Sequence, residues 1–416
     1  MKRFLKKAAA AAVSLALLCG MFPAAAAGAA SDAVEARLAS MTLREKVGQL
    51  FVVRPEALDL EKTSGGTMFT AAMQERLVQY PVGGIVLFQK NITDADSMTA
   101  LIRAYQNASA TGLLVAVDEE GGTVARLANH SAFDLPKYAN AASIGATGDP
   151  EQARAMGYTI GSYLRLYGFN LDFAPVADVN SNPKNPVIGK RAFSSDPNVA
   201  AAMVSAAVEG FHEAGMLCTL KHFPGHGDTG EDSHSGTATT NQTWEEMQAA
   251  ALLPFEAGIA AGADVVMAAH ITTPNATKDG LPASLSYTML TERLRGELGF
   301  TGVICTDALE MKAISSHYAP ADAAVAALNA GADILLMPAD LCAAFEGVVQ
   351  AVETGAVAEE RLNESVRRIL TLKEKAGLPL GAAAAPAEEP TAPEAAEEAV
   401  PEKPSDCFGW LRAFWS

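Results

Sequence analysis

Eight short, continuous apolar runs punctuate the middle of the chain, at residues 48–53, 83–88, 113–118, 170–176, 216–223, 263–270, 302–307 and 332–338. Runs this short, without polar alternation, mark strands buried on both faces. Between them the spacing turns helical over 94–108, 151–167, 198–214, 244–261 and 320–330. A last helical stretch over 358–376 meets Gly377, a residue suited to ending it. Eight alternating strand and helix units predict an α/β protein with a single (β/α)8 TIM barrel over residues 33–380 and some long loops. A doubly wound open sheet is the alternative. It calls for a glycine-rich phosphate turn after the first strand, and Val52-Val53-Arg54-Pro55 supplies none.

The two ends do not follow this pattern. Met1-Lys2-Arg3-Phe4-Leu5-Lys6-Lys7, an Ala/Leu/Val run and small residues up to Ala30 read as a secretory signal peptide over 1–28. Cleavage is expected between Ala26 and Ala30, and the protein is expected to be secreted or associated with the cell envelope. Acylation at Cys19 is the weaker reading, because Leu18 rather than a small residue precedes it. Residues 381–416 begin as an acidic Ala/Pro/Glu linker, expected to be disordered, with almost nothing to bury. They end in ten residues that hold two of the three tryptophans, Trp410 and Trp415. That end reads either as a flap docking back on the domain or as an aromatic contact with the cell surface or a partner.

Composition narrows the field. With 49% hydrophobic residues the chain can bury a large core, which excludes general disorder. The net charge of −17 deepens to −21 once Lys2, Arg3, Lys6 and Lys7 are removed, which argues against nucleic acid as a partner. Cys218 and Cys305 sit inside apolar runs, where a free thiol behaves as a small hydrophobe, and no CxxC pair occurs. A disulfide framework is not expected in a domain of this size.

A barrel carries its active site at the C-terminal ends of its strands. Polar residues gather at those ends: Asp118, Lys221-His222, His270 and Asp307. The opposite ends of the runs show no comparable collection, so the pattern points to an enzyme. Four of the seven histidines fall at 222, 226, 234 and 270. His222 and His226 have the spacing of a helical zinc pair, but Pro224, Gly225 and Gly227 forbid a helix there. No metal and no cofactor is therefore expected, a metal-dependent hydrolase being kept as an alternative. Asp232 and His234 fall on one side of an extended segment, where a carboxylate can fix an imidazole tautomer for proton exchange. Glycines 225, 227, 230 and 236 predict a mobile loop that delivers this pair by closure. Asp307, at the end of an apolar strand, is suited to attack an electrophilic carbon or, alternatively, to cap the next helix. Asp118 is placed to accept sugar hydroxyls, and Arg126 and Arg191 are placed to return to the same pocket.

Taken together, these segments resemble glycoside hydrolase family 3, in its β-N-acetylhexosaminidase (β-N-acetylglucosaminidase) branch. The resemblance covers residues 35–378. It rests on Lys221-His222-Phe223-Pro224-Gly225-His226-Gly227 with Asp232-Ser233-His234, on Asp118-Glu119-Glu120-Gly121-Gly122 through Arg126, on Gly189-Lys190-Arg191-Ala192-Phe193, and on Thr306-Asp307-Ala308-Leu309-Glu310-Met311. It implies Asp307 as nucleophile and His234 as general acid/base partnered by Asp232. It also implies Asp118, Arg126, Arg191, Lys221 and His222 as the set holding an N-acetylglucosamine ring. The chain departs from the family pattern at Glu119, Lys190 and Ala308, none of which carries a catalytic role. The implied reaction is retaining hydrolysis of terminal β-linked N-acetylglucosamine from peptidoglycan fragments or related oligosaccharides. Phosphorolysis is an alternative, since a neutral base does not repel an anionic acceptor. A catalytically dead sugar-binding barrel is less consistent with the presence of Asp307, Asp232 and His234 together. A carbohydrate is the expected partner, and a barrel of this size can work as a monomer.

Overall fold

The computed structural model describes residues 30–62, 64–230, 236 and 238–381. The expected leader at 1–28, the tail beyond Gly381, and Asp232 and His234 lie outside the described residues. Each of the eight apolar runs contains a strand. They are β1 (Phe51–Val53), β2 (Gly84–Leu87), β3 (Leu114–Val117), β4 (Leu171–Asp172), β5 (Leu217–Phe223), β6 (Val265–Ala268), β7 (Val303–Thr306) and β8 (Leu335–Leu336). Every strand residue is buried, as runs without polar alternation require. The strands pair in parallel and in chain order, and β8 returns to β1 with Phe51 opposite Leu335. A single parallel bridge between Cys305 and Ile334 closes the ring. The result is the expected (β/α)8 barrel.

The outer layer is α1 (Ala71–Gln79), α2 (Ala95–Ala108), α3 (Pro150–Leu166), α4 (Pro197–Glu213), α5 (Leu253–Ala260), α6 (Thr288–Glu297), α7 (Pro320–Ala330), α8 (Leu341–Glu353) and α9 (Glu359–Lys375). Their sequences explain their faces and limits. In α2 the Asp94 side chain accepts from the Ser97 N–H, and Met98, Leu101, Ile102 and Tyr105 form one buried stripe. Helices α3 and α4 approach closely because a Cβ at Gly210 would stand 2.0 Å from the Arg154 carbonyl oxygen. The stretch at 244–261, read as one helix, is two: Trp244–Ala249 and then α5. Pro254 lacks the N–H for the bond to residue 250, and its ring opposes that carbonyl, so the first helix stops before it. α6 has π-type hydrogen bonding, which no spacing in the sequence signals.

The N-terminal ends of the strands also differ from expectation, because polar residues do collect there. Asn170 accepts the Val115 N–H and donates to the Leu113 carbonyl, tying β4 to β3. Asp333 is fully buried and accepts from the Ile304 N–H, the Ser365 hydroxyl and the guanidinium groups of Arg295, Arg361 and Arg368. Burial works to raise its pKa, but the three arginines outweigh burial and hold it below the usual carboxylate range. Each of these residues is a single polar position at the N-terminal end of an apolar run, where one polar residue does not stand out. Packing places it in the core.

Candidate active site

At the opposite, C-terminal ends of the strands lies a cavity of about 300 Å³. Asp118, Arg126, Arg191, Lys221, His222 and Asp307 all line it, so six of the eight residues singled out in the sequence meet in one place. A chain of alternating charges organises the wall. The Lys221 ammonium sits 2.7 Å from a carboxylate oxygen of Asp118 and 2.7 Å from one of Glu120. Glu120 also takes two hydrogen bonds from Arg191, at 2.9 and 2.6 Å, the fork geometry in which guanidinium and carboxylate match best. Arg126 completes the row at 3.4 Å from Asp118 and lies over the Phe88 ring at 5.3 Å.

This row is buried, so its electrostatics are strong. Burial works to raise the Glu120 pKa, yet Lys221 and Arg191 bring it down to about 2. Burial likewise opposes ionisation of Asp118, and Lys221 and Arg126 outweigh it, leaving the carboxyl below its usual range. Lys221 is buried too, but Asp118 and Glu120 hold its ammonium above the usual lysine range. Glu120, Asp118 and Lys221 therefore stay charged and fixed and, with Arg191 and Arg126, present acceptors and donors suited to sugar hydroxyls.

Each member has a local reason for its place. Glu119 points away from the cavity and accepts the Leu127 and Ala128 N–H groups and the Tyr163 hydroxyl, which pins the segment carrying Arg126. Asn185 accepts the Val187 and Ile188 N–H groups, folding the turn that aims Arg191 inward. Asp178, buried after β4, holds His222: its Oδ2 is 2.7 Å from Nδ1, and its Oδ1 accepts the His226 N–H at 2.6 Å. Burial pushes the Asp178 pKa up, but His222 and its hydrogen bonds prevail and keep it below the usual range. An ionised carboxylate only accepts, so Nδ1 of His222 carries the hydrogen, and Nε2, 3.4 Å from Arg191, faces the pocket.

Asp307 follows β7 directly. Its own N–H binds the Ala268 carbonyl at 2.8 Å, and its Oδ1 accepts the Ala308 N–H at 2.7 Å. His270 braces this turn: Nε2 donates to the Ala308 carbonyl at 2.9 Å while Nδ1 accepts from the Ser284 hydroxyl. On the outer side of the cavity Glu310 pairs with Arg54 at 2.5 Å, and Arg54 also lies over the Phe88 ring. Burial raises the Glu310 pKa in spite of Arg54.

The loop after β5 is less free than its glycines suggest. A Cβ at Gly227 would stand 1.8 Å from the Val179 carbonyl oxygen, and Gly225 has φ +126°. Gly227 thus serves close packing and Gly225 a left-handed turn, whereas Gly230 and Gly236 have open space around them. Asn182 and Asn185 bind the carbonyls of His226, Asp228 and Thr229, and beyond the loop Ala238–Thr239 pairs with Ile271–Thr272. The loop is thus anchored on both sides of the segment that contains Asp232 and His234. Glu120, Asp178, Arg54 and Phe88 are site residues that sequence reasoning did not assign. Glu120 stood within a quoted motif, and Asp178 is an acid set in an otherwise apolar stretch after the fourth run. Arg54 directly follows the first run and Phe88 ends the second, so the barrel rule marks both places, although neither residue type pointed to chemistry.

Fold and site together define a (β/α)8-barrel protein with a small, densely charged pocket at the C-terminal mouth. The chain belongs to glycosyl hydrolase family 3, whose N-terminal domain matches residues 42–372. It is 38% identical over 338 residues to β-hexosaminidase A of Pseudoalteromonas piscicida, covering 74% of this chain and 56% of that protein. It is 41% identical over 276 residues to the β-hexosaminidase of Stenotrophomonas maltophilia, covering 65% of this chain and 81% of that one. A solved family 3 β-N-acetylglucosaminidase from Paenibacillus sp. superposes with a TM-score of 0.75 at 38% identity, over 84% of this chain and 65% of that chain. The chain thus spans between about half and four fifths of these proteins' lengths.

Proposed function

We propose that this chain is a retaining β-N-acetylhexosaminidase that releases terminal, non-reducing β-linked N-acetylglucosamine. The observation that carries the reading is that Asp307 shares one small cavity with Asp118, Arg126, Arg191, Lys221 and His222. In this reading Asp307 attacks the anomeric carbon and forms a glycosyl ester, while His234, held by Asp232, protonates the departing oxygen. Water then attacks the ester as His234 takes its proton, restoring the original configuration. Asp118, Lys221 and Arg191 hold the ring hydroxyls, and Arg126 and His222 complete the contacts. A volume of about 300 Å³ is at the small end for ligand sites and favours one sugar residue over a run of them. The similar hexosaminidases support the N-acetyl sugar. The export-type N-terminus supports action on peptidoglycan fragments or related oligosaccharides outside the cytoplasm.

The test is hydrolysis of an aryl β-N-acetylglucosaminide, with product anomers followed by NMR. Wild type is expected to release the β-anomer first, and Asp307→Ala and His234→Ala are each expected to lose most of kcat. Equal rates for Asp307→Ala and wild type, or first release of the α-anomer, would sink the mechanism.

A further inference from the structure

At the N-terminal mouth of the barrel, on the far side from the charged pocket, three metal-ligand side chains converge. His212 lies in the last turn of α4, Cys218 is the second residue of β5, and Asp264 immediately precedes β6. Nε2 of His212 is 2.9 Å from Oδ2 of Asp264 and 3.8 Å from Sγ of Cys218. All three ligand atoms lie within 4.8 Å of one another, and among the described residues no other trio of His, Cys, Asp or Glu does so.

We propose that His212, Cys218 and Asp264 form a binding site for a soft divalent transition-metal ion of the zinc type, independent of the sugar pocket. The donor set is selective. Thiolate and imidazole with one carboxylate suit Zn²⁺ or Co²⁺, whereas Mg²⁺ and Ca²⁺ want oxygen throughout. The ligands are also held in advance. They sit on one helix end and two adjacent strands, and Asp264 is oriented by the Cys218 N–H on Oδ2 at 3.0 Å and by Lys375 on Oδ1. A carboxylate tethered in this way keeps a lone pair of Oδ2 for an ion in place of the His212 hydrogen. Access exists as well: a cavity of about 560 Å³, lined by Asp264, Gly262, Phe300 and Lys375, opens beside the trio. Three protein ligands leave a fourth position for water from that side.

A plain His212–Asp264 hydrogen bond, with Cys218 packed as a small apolar side chain, is the competing account. Entry of M²⁺ displaces the hydrogen that Nε2 of His212 shares with Asp264. The thiol proton leaves to solvent and sulfur binds the ion as thiolate, while the neutral His212 ring trades its Nε2 hydrogen for one on Nδ1 through water, giving one proton released per ion bound.

The experiment titrates Co²⁺ into the chelator-treated full chain. One Co²⁺ per chain is expected, with a sulfur-to-cobalt charge-transfer absorption in the near ultraviolet that Zn²⁺ displaces. Cys218→Ser and His212→Gln, checked for folding by circular dichroism, are each expected to bind at least about 100-fold more weakly, the upper end of the loss from removing even an outer partner. Absence of the charge-transfer band in wild type would overturn the proposal, as would a band that survives in Cys218→Ser.

Discussion

Asp178 decides which nitrogen of His222 the pocket receives. It occupies Nδ1 and, through the His226 N–H, fixes the start of the loop as well. Asp178→Asn keeps the shape but removes the charge that enforces one tautomer. A hydrogen bond to a charged group contributes about 1.5–3 kcal/mol, so kcat/KM is predicted to fall by about 10- to 100-fold with the fold intact. Steady-state kinetics beside circular dichroism checks this, and an unchanged kcat/KM rejects the positioning role. Residues of this kind mark the limit of legibility. Asp118, Lys221 and Asp307 could be found because they end apolar runs, and the barrel rule says that such ends carry chemistry. Asp178 lies past the end of its run, so its role depends on a contact 44 positions away along the chain.

At the scale of elements, strand existence was written in the sequence more clearly than helix continuity. Burial on both faces gives every strand the same unbroken apolar signature, whereas a helix with one wet face can break at Pro254 without losing its stripe. The N-terminal strand ends were not legible either, because Asp333 is a lone acid whose three arginines come from two separate helices. Its bonds join β7, α6 and α9 at one point. Asp333→Asn leaves those arginines facing a neutral group. Removing one partner from a buried ionic cluster costs about 3–5 kcal/mol, and that is the predicted loss in urea unfolding. Turnover at saturating substrate should be little changed, since the cluster lies at the other mouth. A loss below about 1 kcal/mol would mean that the arginines find other partners.

For the whole molecule, pH dependence is the sharpest signature. Lys373 in α9 is fully buried, with the Gln49 side-chain oxygen at 2.6 Å. Burial, with Arg37 adding to it, lowers its pKa to about 7 from 10.5. The unfolded chain therefore binds the proton more readily between those values. Folding stability gains about 1.4 kcal/mol per pH unit from this group as pH rises from about 7 toward 10.5, and the burial cost is complete below about 7. Lys373→Met removes the cost. The variant is predicted to be more stable than wild type at about pH 6, with the advantage shrinking toward about pH 10, in urea titrations at both values. An advantage independent of pH would show that Lys373 is not neutralised on burial.

The closing bridge has a consequence for the placing of Asp307. β2 and β3 meet over four register pairs, while β7 and Ile334 meet over one. Backbone bonds from the Ile334 N–H to the Ile304 carbonyl and from the Thr306 N–H to the Ile334 carbonyl, with the Leu336 N–H on the Thr306 hydroxyl, carry the rest of this seam beside Asp307. Past the strand ends the Leu309 and Glu310 N–H groups bind the Leu336 and Met337 carbonyls, so the turn that carries Asp307 is fastened to the last strand. Closure of the ring and the placing of the Asp307 carboxylate therefore depend on one and the same set of bonds.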